Sequence, residues 1–346
     1  MAEYTDRIET AIVSGDWTKV FQEASVWSQA LARTGRRDPR AAFALNVVHL
    51  IRGEFAAAWK IHGEALQEPD DLAKVREWVD ALASKHPDQG HSHLVMGLFL
   101  AQAGQSEQSV EHYKKAIALA PQSPYPHFFL AQIHQRAARP EMAIKAYREA
   151  VKLDPAYAPA RTNLGVAYQA QDNLEMAIPQ FREVIKLNPD DAVAHANLAC
   201  ALAEQGKQEP ALKEYQEALR LNPNDAEVRF ALGGIYETRN RMDLAVKEYE
   251  AAIQADHDFY PAHTALGWIA FNRGHKHEAM EAFNRALKIN TEDASAYFGV
   301  GRVYAERGKG SLAMENFTRA LKLEKNESKR SSIMSYLYSI GKTWDT

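Results

Sequence analysis

One cysteine, Cys200, serves a chain of 346 residues. No intramolecular disulfide can form, which agrees with a reducing, cytoplasmic setting. Cys200 lies in the run NLACALAEQG without a basic neighbour in sequence, so a small, buried, inert thiol is expected. The N-terminal MAEYTDRIET is polar and acidic, with no basic segment leading into an apolar one, and no secretory signal is read there. No apolar run reaches the roughly 18 residues that a membrane-spanning helix needs, so no membrane insertion is expected. Neither charge sign dominates: 41 Lys and Arg stand against 45 Asp and Glu. A basic stripe is therefore missing, and with it the case for a nucleic-acid partner. HExxH, a glycine-rich phosphate loop and a nucleophile elbow are all missing too. The expectation is a chain that is not an enzyme and holds no cofactor and no metal.

What the sequence does have is a period. Pro121, Pro155, Pro189 and Pro223 are each 34 residues apart. Upstream of each stands a small residue and an aromatic one: Ala116 and Tyr113, Ala150 and Tyr147, Val184 and Phe181, Ala218 and Tyr215. Past Pro223 the proline gives way to His257, Thr291 and Lys325, while the pair persists as Ala252 and Tyr249, Ala286 and Phe283, Ala320 and Phe317. The first half of each unit carries a Leu-Gly type pair, from Met96-Gly97 to Val300-Gly301. A turn slot follows, filled by Gly104, Gly206, Gly274 and Gly308 and elsewhere by Asp172 and Asn240, residues that tolerate a positive φ. The pattern predicts a helical hairpin in which a small residue lets two helices approach and a ring fills the space beside it. In LKEYQEALRLNP, Leu212, Tyr215, Ala218, Leu219 and Leu221 share an apolar face, and Asp225 is placed to cap the next helix. A lone hairpin cannot bury such a face, so neighbours must stack on it.

These slots resemble the tetratricopeptide repeat (TPR) family. Seven in-phase units run 90–123, 124–157, 158–191, 192–225, 226–259, 260–293 and 294–327, so residues 90–325 are read as seven tandem repeats. The resemblance implies an all-α fold, a right-handed α-solenoid or superhelix of helical hairpins. It also implies a peptide-binding groove lined by first helices. The early Trp of the family is replaced by His93, His127, His195 and His263, with Arg161, Arg229 and Tyr297 in the other units. The slot is expected to be semi-exposed, with the histidines in a packing role rather than ligating metal. His275-Lys276-His277 is expected to be a surface turn. Pro140 and Pro210 fall in first turns, where a missing N–H costs little; Pro179 falls about a turn in and is expected to bend its helix.

The ends depart from the pattern. Residues 1–89 are expected to form divergent hairpins or a cap, with a degenerate unit at 39–70, a hairpin about Gly15-Asp16 and a linker at GRRDPR. A module that docks onto the array is the alternative. Residues 326–346 should form a capping helix and tail, covering the last hairpin with Ile333, Met334, Leu337 and Ile340.

The family's inner positions hold Tyr125, Phe128, Phe129, Gln132 and Arg136 in the second unit, Asn163 in the third and Asn197 in the fourth. Later units offer Phe230, Trp268, Phe271, Phe298 and Arg302. Asn163 and Asn197 share a register suited to an extended peptide backbone, and the aromatics suit partner anchoring. The terminal-carboxylate clamp of some relatives is not expected, since Phe128, Gln132 and Val193 stand in its slots. These residues point to a scaffold or adaptor that holds a peptide or helical segment of a protein partner. The alternatives are a chaperone-like assembly factor and a self-assembling scaffold. The two expected caps favour a monomer.

Overall fold

The computed structural model describes residues 2–65 and 68–344; these residues are made of helices, turns and bends, with no strand among them. The N-terminal quarter is α1 Ala2–Ser14, α2 Trp17–Ala32, α3 Pro39–Arg52, α4 Phe55–Ala65 and α5 Pro69–Lys85. Hairpins then follow in register: α6 Gly90–Gln102 with α7 Ser106–Leu119, α8 Pro124–Arg136 with α9 Pro140–Leu153, and α10 Ala158–Gln169 with α11 Leu174–Leu187. The series continues with α12 Ala192–Glu204 and α13 Gln208–Leu221, α14 Ala226–Thr238 and α15 Met242–Ala255, and α16 Tyr260–Asn272 and α17 Lys276–Ile289. It ends with α18 Ala294–Glu306, α19 Gly310–Leu323 and the terminal α20 Glu327–Trp344.

Each hairpin turns on a left-handed residue. Gly104, Gly206, Gly274 and Gly308 have φ of 76°, 80°, 81° and 70°, and Asp172 and Asn240 adopt 57° and 56°. The same slot in the second repeat is Ala138 at φ 53°, a position that sequence reasoning passed over. Its Cβ makes that conformation costly. Within the hairpins, rings enter the space that a missing Cβ leaves. A Cβ at Gly97 would stand 2.5 Å from Tyr113, at Gly165 2.5 Å from Phe181, and at Gly233 2.5 Å from Tyr249. Phe283 is held from two sides, by Gly267 of its own repeat and Gly299 of the next. Pro140 opens α9 and Pro210 lies in the first turn of α13. Pro179 sits inside α11, which continues through it to Leu187.

Contacts gather the chain into two compact units, Met1–Pro189 and Asp190–Thr346. In the first, the N-terminal helices join three repeats. The α3–α4 pair copies the repeat's turn, with Gly53 at φ 77°, and Asn46 Nδ2 donates to Ala58 O at 2.7 Å. The same two slots in the first full repeat are joined by Ser109 Oγ donating to Gly97 O at 2.8 Å. The single helix α5 then interrupts the alternation before α6. In the second unit, α20 covers the last hairpin. Ile333 is buried against Ala313, Phe317 and Ala320, with Tyr336 and Leu337 beside it. Met334, expected in that contact, is 48% exposed. The helix turns it outward while Tyr336 takes the covering position. The Ile340 side chain lies outside the described residues.

Candidate functional site

The slot that lacks the family's Trp is a polar fastener. Its side chains reach back six residues to a turn carbonyl and forward nineteen to the second helix. Arg161 Nε donates to Pro155 O at 2.6 Å, and its Nη1 donates to Gln180 Oε1 at 3.3 Å. Arg229 donates twice to Pro223 O, at 3.0 and 2.8 Å, and pairs with Glu248 at 3.1 Å. His93 places Nε2 3.0 Å from Pro87 O and Nδ1 3.1 Å from His112 Nδ1. His195 Nδ1 donates to Glu214 Oε2 at 2.6 Å. The expectation of a semi-exposed slot is corrected at His93, His195 and His263, each 7% exposed. A side chain that bridges a turn and a neighbouring helix must lie between them. Burial lowers the pKa of His263 and His127, and burial together with the electrostatic influence of nearby His93 lowers that of His112. No group of three or more His, Cys, Asp or Glu suited to a metal ion occurs among the described residues.

The inner positions of the first unit are covered by the chain's own N-terminal helices. Phe43 of α3 meets Phe99 of α6 edge-on, centroids 5.7 Å apart. Gln102 Nε2 donates to Asn46 Oδ1 at 2.8 Å. Phe55 of α4 stacks on Phe128 of α8 at 6.4 Å, and Trp17 of α2 meets Tyr125 at 6.3 Å. The Gly53 turn abuts Pro159 at the start of α10. Phe128 is therefore 0% exposed and Phe129 3%. Both were expected as anchors for a partner in an open groove; both are buried instead, and Phe129 only lines a cavity beside α3 and α4. The apolar N-terminal helices occupy the place where a partner would have reached them. Tyr125, Gln132 and Asn163 are half-buried.

In the second unit, Asn197, Phe230, Trp268, Phe298 and Arg302 are half-buried, and Phe271 is buried at 7%. The aromatics pack between successive first helices. Trp268 lies 5.6 Å from Phe298 and donates through Nε1 to Ser295 Oγ at 2.9 Å. Phe298 meets Tyr336 of α20 at 5.4 Å. The Arg302 guanidinium sits 4.9 Å over Phe271 and 4.4 Å over Tyr336, which fixes its direction and buries Phe271 beneath it. Phe230 packs against Tyr249 at 5.3 Å and Phe259 at 5.6 Å. Gly234, one residue past the small slot, is different: only the Tyr249 hydroxyl, at 3.9 Å, comes near a Cβ placed there. A glycine inside a helix costs about 1 kcal/mol relative to alanine, and no packing contact explains this one. It leaves a notch in the same register as Trp268. The second glycine of the pair GG was the signal in the sequence, hidden by the repeat's own glycine beside it.

Cys200 is half-buried rather than buried, and its Sγ donates to Glu204 Oε1 at 3.5 Å. The helix face that carries it is the one left partly open. Trp59, 70% exposed on α4, was also missed. It lies in an apolar run, FAAAW, where an outward ring cannot be told from core.

Sequence profiles described as TPR repeat match residues 141–172 and 200–240. Profiles described as tetratricopeptide repeat match 158–191, 260–293, 90–123 and 226–259. No curated protein matches the sequence. Among solved structures, a tetratricopeptide repeat protein from Parabacteroides merdae superposes with a TM-score of 0.60 at 14% identity, covering 72% of this chain and 98% of that one. Yeast Tom70 superposes at 0.54 with 14% identity, covering 98% and 88%. The C-terminal part of a TPR repeat-containing protein from Cytophaga hutchinsonii gives 0.54 at 15%, covering 66% and 95%. At these identities the likeness is one of fold.

Proposed function

We propose, from the premise that this chain belongs to the tetratricopeptide repeat family, that it is a non-enzymatic scaffold or adaptor holding a peptide or helical segment of a partner protein. The supporting observation is the contrast between the two units. In the first, the aromatic pair Phe128 and Phe129 is buried from within the chain. The inner positions of the second keep a partly open row of Asn197, Phe230, Gly234 and Trp268. An Asn amide can donate to and accept from a peptide backbone, and the open space at Gly234, in the register that Trp268 holds one repeat later, suits one inserted side chain. The reading places the protein in the cytoplasm, as a monomer, with a protein partner and no nucleic acid. No described helix is long and apolar enough to cross a membrane.

The test is site-specific photo-crosslinking. A benzophenone amino acid at Phe230 should yield partner adducts, and one at Lys213, exposed on a second helix, should not. Adducts from Lys213 and none from Phe230 would move the binding surface to the opposite face. The double change Asn197→Ala with Trp268→Ala should then lower recovery of the same partner about tenfold or more, in line with losing a central anchor.

A further inference from the structure

The first unit contains a cavity that the repeats do not build alone. It lies between α3–α4 and the first two repeats and has a volume of about 170 Å³. Phe55, Trp59, Leu98 and Phe129 give it apolar walls. Asn46, Gln102, Gln132, Arg136, His62 and the Tyr113 hydroxyl supply its polar groups, and no carboxylate lines it among the described residues. Arg136 is the one fully cationic lining residue, it is exposed, and no carboxylate pairs with it among the described residues. His62 Nδ1 is buried without a hydrogen-bond partner. The exposed Trp59 ring stands edge-on to His62, centroids 5.9 Å apart.

These features are independent of the row in the second unit. The volume suits a single ring or branched aliphatic group rather than a stretch of chain. The walls reward apolar burial, and an uncompensated guanidinium beside an amide favours a carboxylate. A buried imidazole nitrogen without a partner is a further polar atom that a ligand can satisfy. We infer that the cavity between the N-terminal hairpin and the first two repeats is a ligand site for a compact aromatic or branched carboxylate, its apolar part enclosed by Phe55, Leu98 and Phe129 and its anionic group on Arg136. The carboxylate can come from a free acid or from the terminal residue of a peptide.

Binding is measured on the full chain by calorimetry and by tryptophan fluorescence, since Trp59 lines the cavity. The probes are 3-phenylpropionate and its amide, and the pentapeptide Gly-Ser-Gly-Ser-Phe with a free or an amidated C-terminus. Each acid should bind at least about tenfold more tightly than its amide, the scale of one charge-assisted pair. Arg136→Gln should bring the acids down to the amides and leave the amides unchanged. Ala101→Leu, which fills the cavity from α6, should abolish binding of all four. Preference for 3-phenylpropionate over the peptide acid assigns the site to a free acid, and the reverse assigns it to a chain terminus. Equal binding of acid and amide, no saturable binding of any probe, or acid binding that survives Arg136→Gln would overturn the inference. Arg136 is exposed, so its variant tests the site without threatening the fold.

Discussion

At the scale of single residues, the same chemical change has opposite consequences at different slots. Ala138 holds a left-handed turn with φ 53°. Ala138→Gly should stabilise the protein by about 1 kcal/mol, seen as a higher urea midpoint with an unchanged slope. At Gly267 a Cβ would stand 2.6 Å from the Phe283 ring. Gly267→Ala should therefore destabilise by about 1 to 3 kcal/mol, despite alanine's better helix propensity. Gly234→Ala has open space and should instead gain up to about 1 kcal/mol, while lowering partner affinity if the notch is used. A midpoint for Gly234→Ala below the unmodified protein would show that packing, not a ligand, explains that glycine.

At the scale of elements, hairpins were legible and their outer partners were not. The Gly–ring pairing, the turn slots and the Asp225 cap, which accepts from Val228 N at 3.0 Å, all follow from local spacing. The burial of Phe128 and Phe129 does not, because it depends on helices about seventy residues earlier that leave the period. The histidine slot was read as packing, but its bonds to a turn carbonyl join positions that no single helix pattern relates. That slot, with its neighbours, sets a pH response. Burial is the largest cause lowering His91, His112, His127, His134 and His263 from the ordinary 6.5. Near His112 stand His93, Lys115 and Arg76, which lower it further, and Asp80, which opposes them. The folded protein keeps these rings neutral, while the unfolded chain takes up protons near 6.5. Stability is therefore intact above that pH and falls as the pH drops below it. Urea midpoints should decline from pH 7.5 to about pH 5.5, and His112→Gln should flatten part of that slope; midpoints level over this range would contradict the assignment.

For the whole molecule, short-range contacts dominate, and damage should stay near its origin. Phe283 is fully buried between two repeats. Phe283→Ala should cost about 3 to 5 kcal/mol. Hydrogen exchange should quicken in α16 to α19 while α1 to α6 keep their protection. Uniform acceleration along the chain would instead show that it unfolds as one body. The polar fasteners carry a consequence for how such a gene changes length. Each one connects a residue only to positions six before and nineteen after it. A 34-residue segment duplicated in phase would bring its own fastener, ring and turn, and would break none belonging to its neighbours. The lone α5 lacks that self-sufficiency, and α2 to α4 reach as far as Tyr125, Phe128 and Pro159, so growth by duplication is free only beyond the third repeat.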